Sequence, residues 1–307
     1  MIEDLPAAQQ PQPDGPVLAG RVVLVTGGGG GIGRVICRAF IRAGASLVLL
    51  GRNLDTLRAT QDLLEPEAAR SDMIAIVQAD VTRKEDVNRA VESVNGRHGH
   101  IDVLVNCAAI QGPIGPFATA DLDAWARTIE IDLVGPARMT RAVFPSMARQ
   151  GAGCIINLSG GGATSPRPNF SAYAAAKAGI VRLTETLAVE GRPIGIRVYA
   201  IAPGAINTAM LDEVIEAGAA AGPEYEAAVR RRANGGDRTA PIEELVVFLA
   251  AGGDGGSLSG KLIAAQHDDW QDLATRGEAI TSSDWYTLRR VDPATLGRLP
   301  TLDNRRS

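Results

Sequence analysis

The stretch RVVLVTGGGGGIG, residues 21–33, decides the fold that this chain adopts. Its first six residues are an apolar, β-branched run that is typical of a buried parallel strand. Five glycines and Ile32-Gly33 follow, and a helical pattern then runs from Arg34 to Ala43. Glycine lets the backbone approach a pyrophosphate, and a helix N-terminus presents unpaired N–H groups to it. A glycine cluster alone also suits a flexible linker. Because a strand and an amphipathic helix flank this one, the order predicts a dinucleotide site.

Strands and helices alternate along the rest of the chain. We predict further strands at 45–50, 73–78, 101–105, 154–158, 196–201 and 261–265, and helices at 54–64, 83–95, 122–147, 172–190 and 242–250. The long helix 122–147 is expected to break near Gly135-Pro136. This alternation is typical of a parallel sheet covered on both faces. The predicted fold class is therefore α/β, a doubly wound parallel sheet of the Rossmann type.

The same pattern sets the predicted domain organisation. We expect a single domain from residue 20 to 266. Residues 1–19 are rich in proline and lack periodicity, so they are predicted to be a flexible leader. Residues 267–307 are expected to form a C-terminal extension.

Composition excludes several function classes. The formal charge of the 307 residues is −4, which argues against a nucleic-acid surface. No apolar run approaches the ~20 residues that span a bilayer, and residues 1–20 lack the Lys or Arg of a signal peptide. Three widely spaced cysteines, Cys37, Cys107 and Cys154, fit reduced thiols in the cytoplasm better than disulfides. The three histidines have no metal-ligand spacing, so no metal is predicted.

The stretch NFSAYAAAKAGI, residues 169–180, carries the candidate chemistry. Tyr173 and Lys177 are four apart and share one face of the predicted helix. An ammonium beside a phenol favours the phenolate, so this spacing suits a tyrosine that gives or takes a proton near pH 7. The alternative is an alanine-rich packing helix in which the two residues are incidental.

Five elements, taken in order, resemble the short-chain dehydrogenase/reductase family over residues 20–266. They are TGGGGGIG at 26–33, Asp80-Val81, Asn106-Cys107-Ala108-Ala109, the Tyr173/Lys177 pair, and PGAINT at 203–208. The resemblance implies an NAD(P)-dependent oxidoreductase whose cofactor is bound by Thr26, Gly27, Gly31, Ile32, Gly33, Asp80, Val81, Asn106, Ala108, Tyr173, Lys177, Pro203, Gly204, Ile206 and Thr208.

The resemblance also implies catalytic roles for four residues. Tyr173 is the general acid in reduction and the general base in oxidation, and Lys177 assists it. Asp132 stands in the proton relay, where the family has Asn. The family's serine lies thirteen residues before the tyrosine, and that position is Gly160 here. We expect one extra residue in the loop 160–171 to restore Ser159 to that place, so that Ser159 holds the substrate oxygen. Without an insertion, that hydroxyl is missing or comes from Thr164 or Ser165.

The end of the second strand predicts the cofactor. An acid there bonds the ribose hydroxyls of NAD, but here the sequence is Leu50-Gly51-Arg52-Asn53. Arg52 offers a planar guanidinium to a 2′-phosphate, although it also suits a solvated helix start. We therefore predict NADP(H), with Arg52 and Asn53 near the ribose.

The predicted function is NADP(H)-dependent interconversion of a secondary alcohol and a ketone. The alternatives are an enoyl reductase of the same fold and a non-catalytic NADP(H)-sensing protein. Residues 207–237 are expected to form a mobile lid, in which three arginines at 230–232 either receive an acidic substrate or end a solvated helix.

Two further expectations concern assembly. The C-terminal extension holds two of the three tryptophans, Trp270 and Trp285. We expect it to pack across the substrate mouth of its own or a neighbouring subunit, or else only to cap the sheet edge. The resemblance implies a homodimer or homotetramer, and the helices at 122–147 and 172–190 are candidates to pair across its two-fold axis.

Overall fold

Seven parallel strands form the sheet in the computed structural model, which describes residues 15–292. In chain order the strands are β1 (Val22–Thr26), β2 (Ser46–Gly51), β3 (Ile74–Gln78), β4 (Val103–Asn106), β5 (Gly153–Leu158), β6 (Ile196–Ala202) and β7 (Leu262–Ala264). They lie in the order β3-β2-β1-β4-β5-β6-β7, and each neighbouring pair is parallel.

Helices cover both faces of this sheet. They are α1 (Gly31–Arg42), α2 (Leu54–Leu64), α3 (Lys84–His98), α4 (Leu122–Ile129), α5 (Gly135–Gln150), α6 (Ser171–Gly191), α7 (Ala209–Glu216), α8 (Pro223–Ala233), α9 (Ala240–Ala251), α10 (Trp270–Thr275) and α11 (Glu278–Thr281). One apolar cluster joins the sheet to α1, α2 and α9, and a second joins it to α3 and α5. The predicted doubly wound Rossmann fold is confirmed.

The predicted long helix 122–147 is interrupted next to Gly135-Pro136, as expected. A five-residue π-helical turn, Glu130–Val134, separates α4 from α5 and ends just before Gly135-Pro136. Proline has no N–H, so Pro136 cannot donate to the carbonyl four residues earlier, and the regular α-helical ladder stops there. The widened turn carries Asp132.

Two segments are more ordered than the sequence indicates. The expected lid, residues 207–237, contains α7 and α8, and their buried residues form an apolar cluster with Phe170. Leu18, which we assigned to the leader, is fully buried, and its N–H donates to Ala43 O at 2.9 Å. Residues 1–14 of that leader and 293–307 of the extension lie outside the described residues. Between residues 15 and 292, no helix combines the length and the apolar character that a membrane crossing requires.

The strand order reverses direction between β1 and β4, which opens a crevice at their carboxyl ends. Thr26 ties the two strands together there, because its hydroxyl accepts from the N–H groups of Cys107 (3.0 Å) and Ala108 (3.1 Å). Asn106 Nδ2 donates to Asn157 Oδ1 on β5 at 2.8 Å. These bonds fix the loop that follows β4.

We expect Thr26→Val to destabilise the protein by about 1–3 kcal/mol, because it leaves two amide groups without their acceptor at a buried position. Thr26→Ser retains the hydroxyl and is the matched control. Denaturant unfolding of the three proteins measures the difference. Equal unfolding free energies for the Val and Ser variants would contradict this account.

Candidate active site

The glycine turn after β1 leaves room for a ligand because its residues lack side chains. Gly27 has a φ of +69°, and a methyl group there would lie 2.9 Å from the Ala108 backbone. A methyl group on Gly33 would overlap the Gly27 carbonyl oxygen. No side chain caps the N-terminus of α1, so its first N–H groups remain available. The turn is therefore a cradle that suits an anionic group such as a pyrophosphate.

A cleft of about 1270 Å³ extends from this turn along the carboxyl edge of the sheet. Fifteen of the residues singled out in the sequence line it: Gly27, Gly31, Ile32, Gly33, Arg52, Asp80, Val81, Ala108, Ser159, Tyr173, Lys177, Pro203, Gly204, Ile206 and Thr208. Elements far apart in the chain thus converge on one site.

Four other candidates do not line the cleft. Thr26 and Asn106 lie behind the cleft wall, where their hydrogen bonds hold the loop after β4. Asp132 is fully buried beneath Lys177. Asn53 is the N-cap of α2, where its Oδ1 accepts from the N–H groups of Asp55 (2.9 Å) and Thr56 (3.2 Å). Its side chain is therefore committed to the helix.

Tyr173, Lys177 and Asp132 form the centre of the site. Tyr173 and Lys177 lie on one face of α6, and the Lys177 ammonium is 5.2 Å from the centroid of the Tyr173 ring. Lys177 Nζ lies 3.2 Å from Asp132 Oδ2 and donates to Leu158 O at 3.2 Å. Asp132 Oδ1 accepts from the N–H of Ile110 at 2.9 Å. The two charged side chains are 3% and 0% exposed.

The charges of this pair depend on burial and on each other. Burial acts to lower the pKa of Lys177, but Asp132 and Tyr173 act in the opposite direction, and its pKa is raised above the ordinary value. Burial raises the pKa of Asp132, an effect that Lys177 opposes. Lys177 is therefore a fixed cation at neutral pH. Burial also raises the pKa of the nearby Cys107 to about 12, so that side chain is a neutral thiol.

The loop after β5 places Gly160 and Ser159 differently with respect to Tyr173. Gly160 faces the Tyr173 hydroxyl, since a methyl group on Gly160 would lie 2.7 Å from that oxygen. Ser159 is buried, and its hydroxyl donates to the Lys177 carbonyl at 3.4 Å. Ser159 nevertheless lines the cleft, and its role in holding the substrate oxygen stays a prediction. Thr164 and Ser165 line the cleft but are exposed.

Sequence reasoning missed Arg167. Its guanidinium makes two 2.6 Å bonds to the Glu224 carboxylate on α8. It also lies 3.9 Å above the Phe170 ring and 5.1 Å from the Tyr173 ring centroid. Arg167 thereby joins the loop after β5 to α8, which packs with α7 beside the cleft. Because Glu224 is 57 residues away in the chain, no local motif predicts the ion pair between it and Arg167.

At the other end of the cleft, Arg52 lines the wall directly after β2. No carboxylate stands at the end of that strand, where Gly51 leads into Arg52. Asp80 also lines the cleft, and its Oδ1 accepts from both the N–H and the hydroxyl of Thr82. Arg34, on α1, donates to the Gly29 carbonyl at 3.2 Å and so supports the glycine turn. Among residues 15–292, no three metal-ligating side chains cluster together.

Comparisons with known proteins agree with this geometry. The family model described as "short chain dehydrogenase" matches residues 21–218. A short chain dehydrogenase/reductase, dpchG, of Colletotrichum higginsianum is 33% identical over 81% of this chain and 94% of its own length. A cis-4-hydroxycyclohexanecarboxylate dehydrogenase of Sinomonas cyclohexanicum is 33% identical over 77% of this chain and 92% of its own length.

Solved structures of similar shape include levodione reductase, with a TM-score of 0.74 and 28% identity over 84% of this chain and 99% of that one. The structure of NAD+-bound xylitol dehydrogenase has a TM-score of 0.73 and 30% identity, and the match covers 80% of this chain and 98% of that one. A single-residue variant of actinorhodin polyketide ketoreductase, solved with NADPH, has a TM-score of 0.72 and 27% identity. That match covers 80% of this chain and 95% of that one.

We expect Gly33→Ala to weaken NADPH binding at least tenfold, because the added methyl group displaces the Gly27 carbonyl and distorts the cradle. Gly96→Ala is the matched control, since Gly96 is exposed on α3 with open space around it. Isothermal titration calorimetry measures both affinities, and circular dichroism checks the fold. An unchanged NADPH affinity in a folded Gly33→Ala variant would show that the turn does not hold the nucleotide.

Proposed function

The chain belongs to the short-chain dehydrogenase/reductase family and is an NAD(P)-dependent oxidoreductase. We propose that it uses NADP(H) to interconvert a secondary alcohol and a ketone. The observation that carries this proposal is the placement of Tyr173 and Lys177 on one cleft wall, beside the glycine cradle.

In the proposed reaction, Tyr173 gives a proton to the substrate oxygen during reduction and takes it back during oxidation. Lys177 remains charged because Asp132 is its counter-ion, and its field stabilises the phenolate. The bound cofactor supplies or accepts the hydride. Gly160 leaves the side of Tyr173 open, so the substrate oxygen can approach the phenol there. The residues that would hold the cofactor are the glycine turn, Asp80-Val81 and the segment from Pro203 to Thr208.

The preference for NADP(H) is supported by Arg52 and by the absence of a carboxylate after β2. A 2′-phosphate carries charge that an acid at this position would repel, whereas a guanidinium binds it with two hydrogen bonds. The similar structures do not decide this preference, because one of them holds NAD+ and another NADPH.

Ring-bearing alcohols are the first substrates to test. The substrate end of the cleft is lined by apolar side chains, among them Met210, Leu211, Val214 and Leu262. One of the similar proteins, the cis-4-hydroxycyclohexanecarboxylate dehydrogenase, acts by its name on a six-membered ring. We therefore propose a cyclic secondary alcohol or its ketone as the substrate class.

One observation favours a second candidate function. Gly160 faces Tyr173 where the resemblance implies a serine, which suits a protein that senses NADP(H) without turnover. Tight NADPH binding without oxidation of any alcohol or reduction of any ketone would favour the sensor. Reduction of an enone but not of the matching ketone would instead favour the enoyl reductase. The cytoplasmic location and the homodimer or homotetramer stay predictions.

We expect Tyr173→Phe to lower kcat at least a hundredfold, since general acid–base catalysis contributes about 10²–10⁴-fold. The aromatic ring remains, so NADPH affinity should stay within threefold. Cyclohexanol oxidation, followed by nicotinamide absorbance, measures kcat, and calorimetry measures binding. A kcat within threefold of the unsubstituted protein would reject Tyr173 as the acid–base group.

We expect Arg52→Asp to lower the ratio of kcat/KM for NADP+ over NAD+ at least tenfold, because the new carboxylate repels the 2′-phosphate and accepts from the ribose hydroxyls. Arg58→Asp makes the same charge change on the exposed face of α2, away from the cleft, and is the control. If both variants shift the ratio equally, net charge rather than local recognition explains the preference.

A further inference from the structure

Residues 284–289, reading DWYTLR, lie outside the stretch that matches the family model and yet reach the cleft. Tyr286 and Thr287 line its wall beside Leu262 and Ala264 of β7. The strands β6 and β7 lie at the opposite side of the sheet from β2, whose end carries Arg52. These tail residues therefore border the substrate end of the cleft, away from the end assigned to the 2′-phosphate.

A buried carboxylate anchors this segment. Glu185 on α6 is 8% exposed, and its Oε1 accepts from the N–H of Leu288 at 2.7 Å. Its Oε2 accepts from Arg289 at 2.6 Å and from Arg182 at 2.5 Å. Arg182 also donates to the Leu288 carbonyl. One acid on the helix of Tyr173 thus binds both the main chain and a side chain of the tail.

Two main-chain contacts complete the attachment. The N–H of Leu262 donates to the Tyr286 carbonyl at 2.7 Å, so the tail gives this N–H group at the outer edge of β7 an acceptor. Lys261 Nζ donates to the Ser283 carbonyl at 2.6 Å. Leu288 packs on the small apolar cluster that includes Ala163, a residue of the loop that follows β5. The segment is therefore in contact with the catalytic loop as well as with the sheet edge.

The backbone at Tyr286 is unusual and indicates constraint. Its φ is +60°, a left-handed conformation that a bulky residue seldom adopts. Such a conformation persists only where the surroundings hold it, as the anchors on both sides do here. A residue chosen for backbone geometry alone at this position would be glycine. The Tyr286 side chain packs on the main apolar cluster of the sheet and also lines the cleft, so a tyrosine at this position makes both contacts.

We propose that residues 284–289 form a fixed wall of the substrate end and that Tyr286 limits the size of the substrate. Glu185 is a positioning residue in this account, because it holds the wall from behind and lies about 18 Å along α6 from Tyr173. The inference rests on the proposed function, which it deepens by naming a residue that selects among cyclic alcohols.

The decisive variant is Tyr286→Gly, because glycine adopts the observed backbone conformation freely and the substitution deletes only the side chain. Cyclohexanol and the fused-ring alcohol 2-decalol serve as compact and bulky substrates with NADP+. We expect the ratio of kcat/KM for 2-decalol over cyclohexanol to rise at least tenfold, while KM for NADP+ stays within twofold. Ser282→Ala, an exposed change just before the wall segment, should leave the ratio unchanged.

Glu185→Gln tests the anchor. It keeps the shape of the side chain but removes the charge that Arg182 and Arg289 share. We expect the ratio of kcat/KM for 2-decalol over cyclohexanol to rise, as in Tyr286→Gly. We also expect tryptic cleavage at Arg289 to be at least fivefold faster. A folded Glu185→Gln variant with unaltered cleavage and selectivity would reject its positioning role.

Calorimetric binding of the two alcohols to the full-length protein gives a readout without turnover. A tenfold change in their affinity ratio in Tyr286→Gly, with no turnover by either protein, would retain the wall and reject the proposed function. Turnover with unchanged ratios in both measurements would overturn the wall and leave the proposed function standing. If neither alcohol binds nor reacts, both are rejected.

Discussion

The buried ion pair between Lys177 and Asp132 is the interaction on which the site depends. Taking each charge out of water costs several kcal/mol, and only close attraction and further hydrogen bonds offset that cost. The N–H of Ile110 and the carbonyl of Leu158 supply those bonds. Removing one partner leaves an uncompensated buried charge, which costs roughly 3–5 kcal/mol. The pair therefore fixes α6 against the turn that carries Asp132, and with it the position of Tyr173.

The ion pair can form only because the backbone of α6 lies close to the π-helical turn. A side chain on Gly179 of α6 would lie 2.8 Å from Leu133, so the helix meets the π-helical turn only because that position is bare. The same holds in the nucleotide cradle, where Gly33 sits against the Gly27 carbonyl. The contact of α6 with the π-helical turn and the nucleotide cradle thus both depend on glycines, while the parallel sheet brings the elements to one edge. Shape and charge in the site come from different residues: glycines allow the close contacts, and the ion pair holds the helix that carries Tyr173.

Local pattern was sufficient for most of the fold. The helix predicted at 54–64 agrees with α2 at both ends, because an N-cap and an apolar stripe are encoded within that stretch. Patterns failed where a distant contact decides the outcome. Arg167 pairs with Glu224, which is 57 residues away on a helix whose many charged residues give little periodic signal. The register of Gly160 against Tyr173 likewise depends on how the loop after β5 folds over α6, which spacing along the chain does not reveal.

The anchor between Glu185 and Leu288 joins residues 103 apart in the chain. A ribosome releases the N-terminal part of a chain first, and early segments fold before late ones appear. Strands β1 to β7 and α6 all precede residue 284, so the nascent protein passes through a stage in which every strand has been synthesised and one flank of the cleft is still bare. Translation of residues 284–289 therefore supplies the flank of the cleft that Tyr286 and Thr287 form, and a ribosome that stalls before them leaves the cleft open on that side.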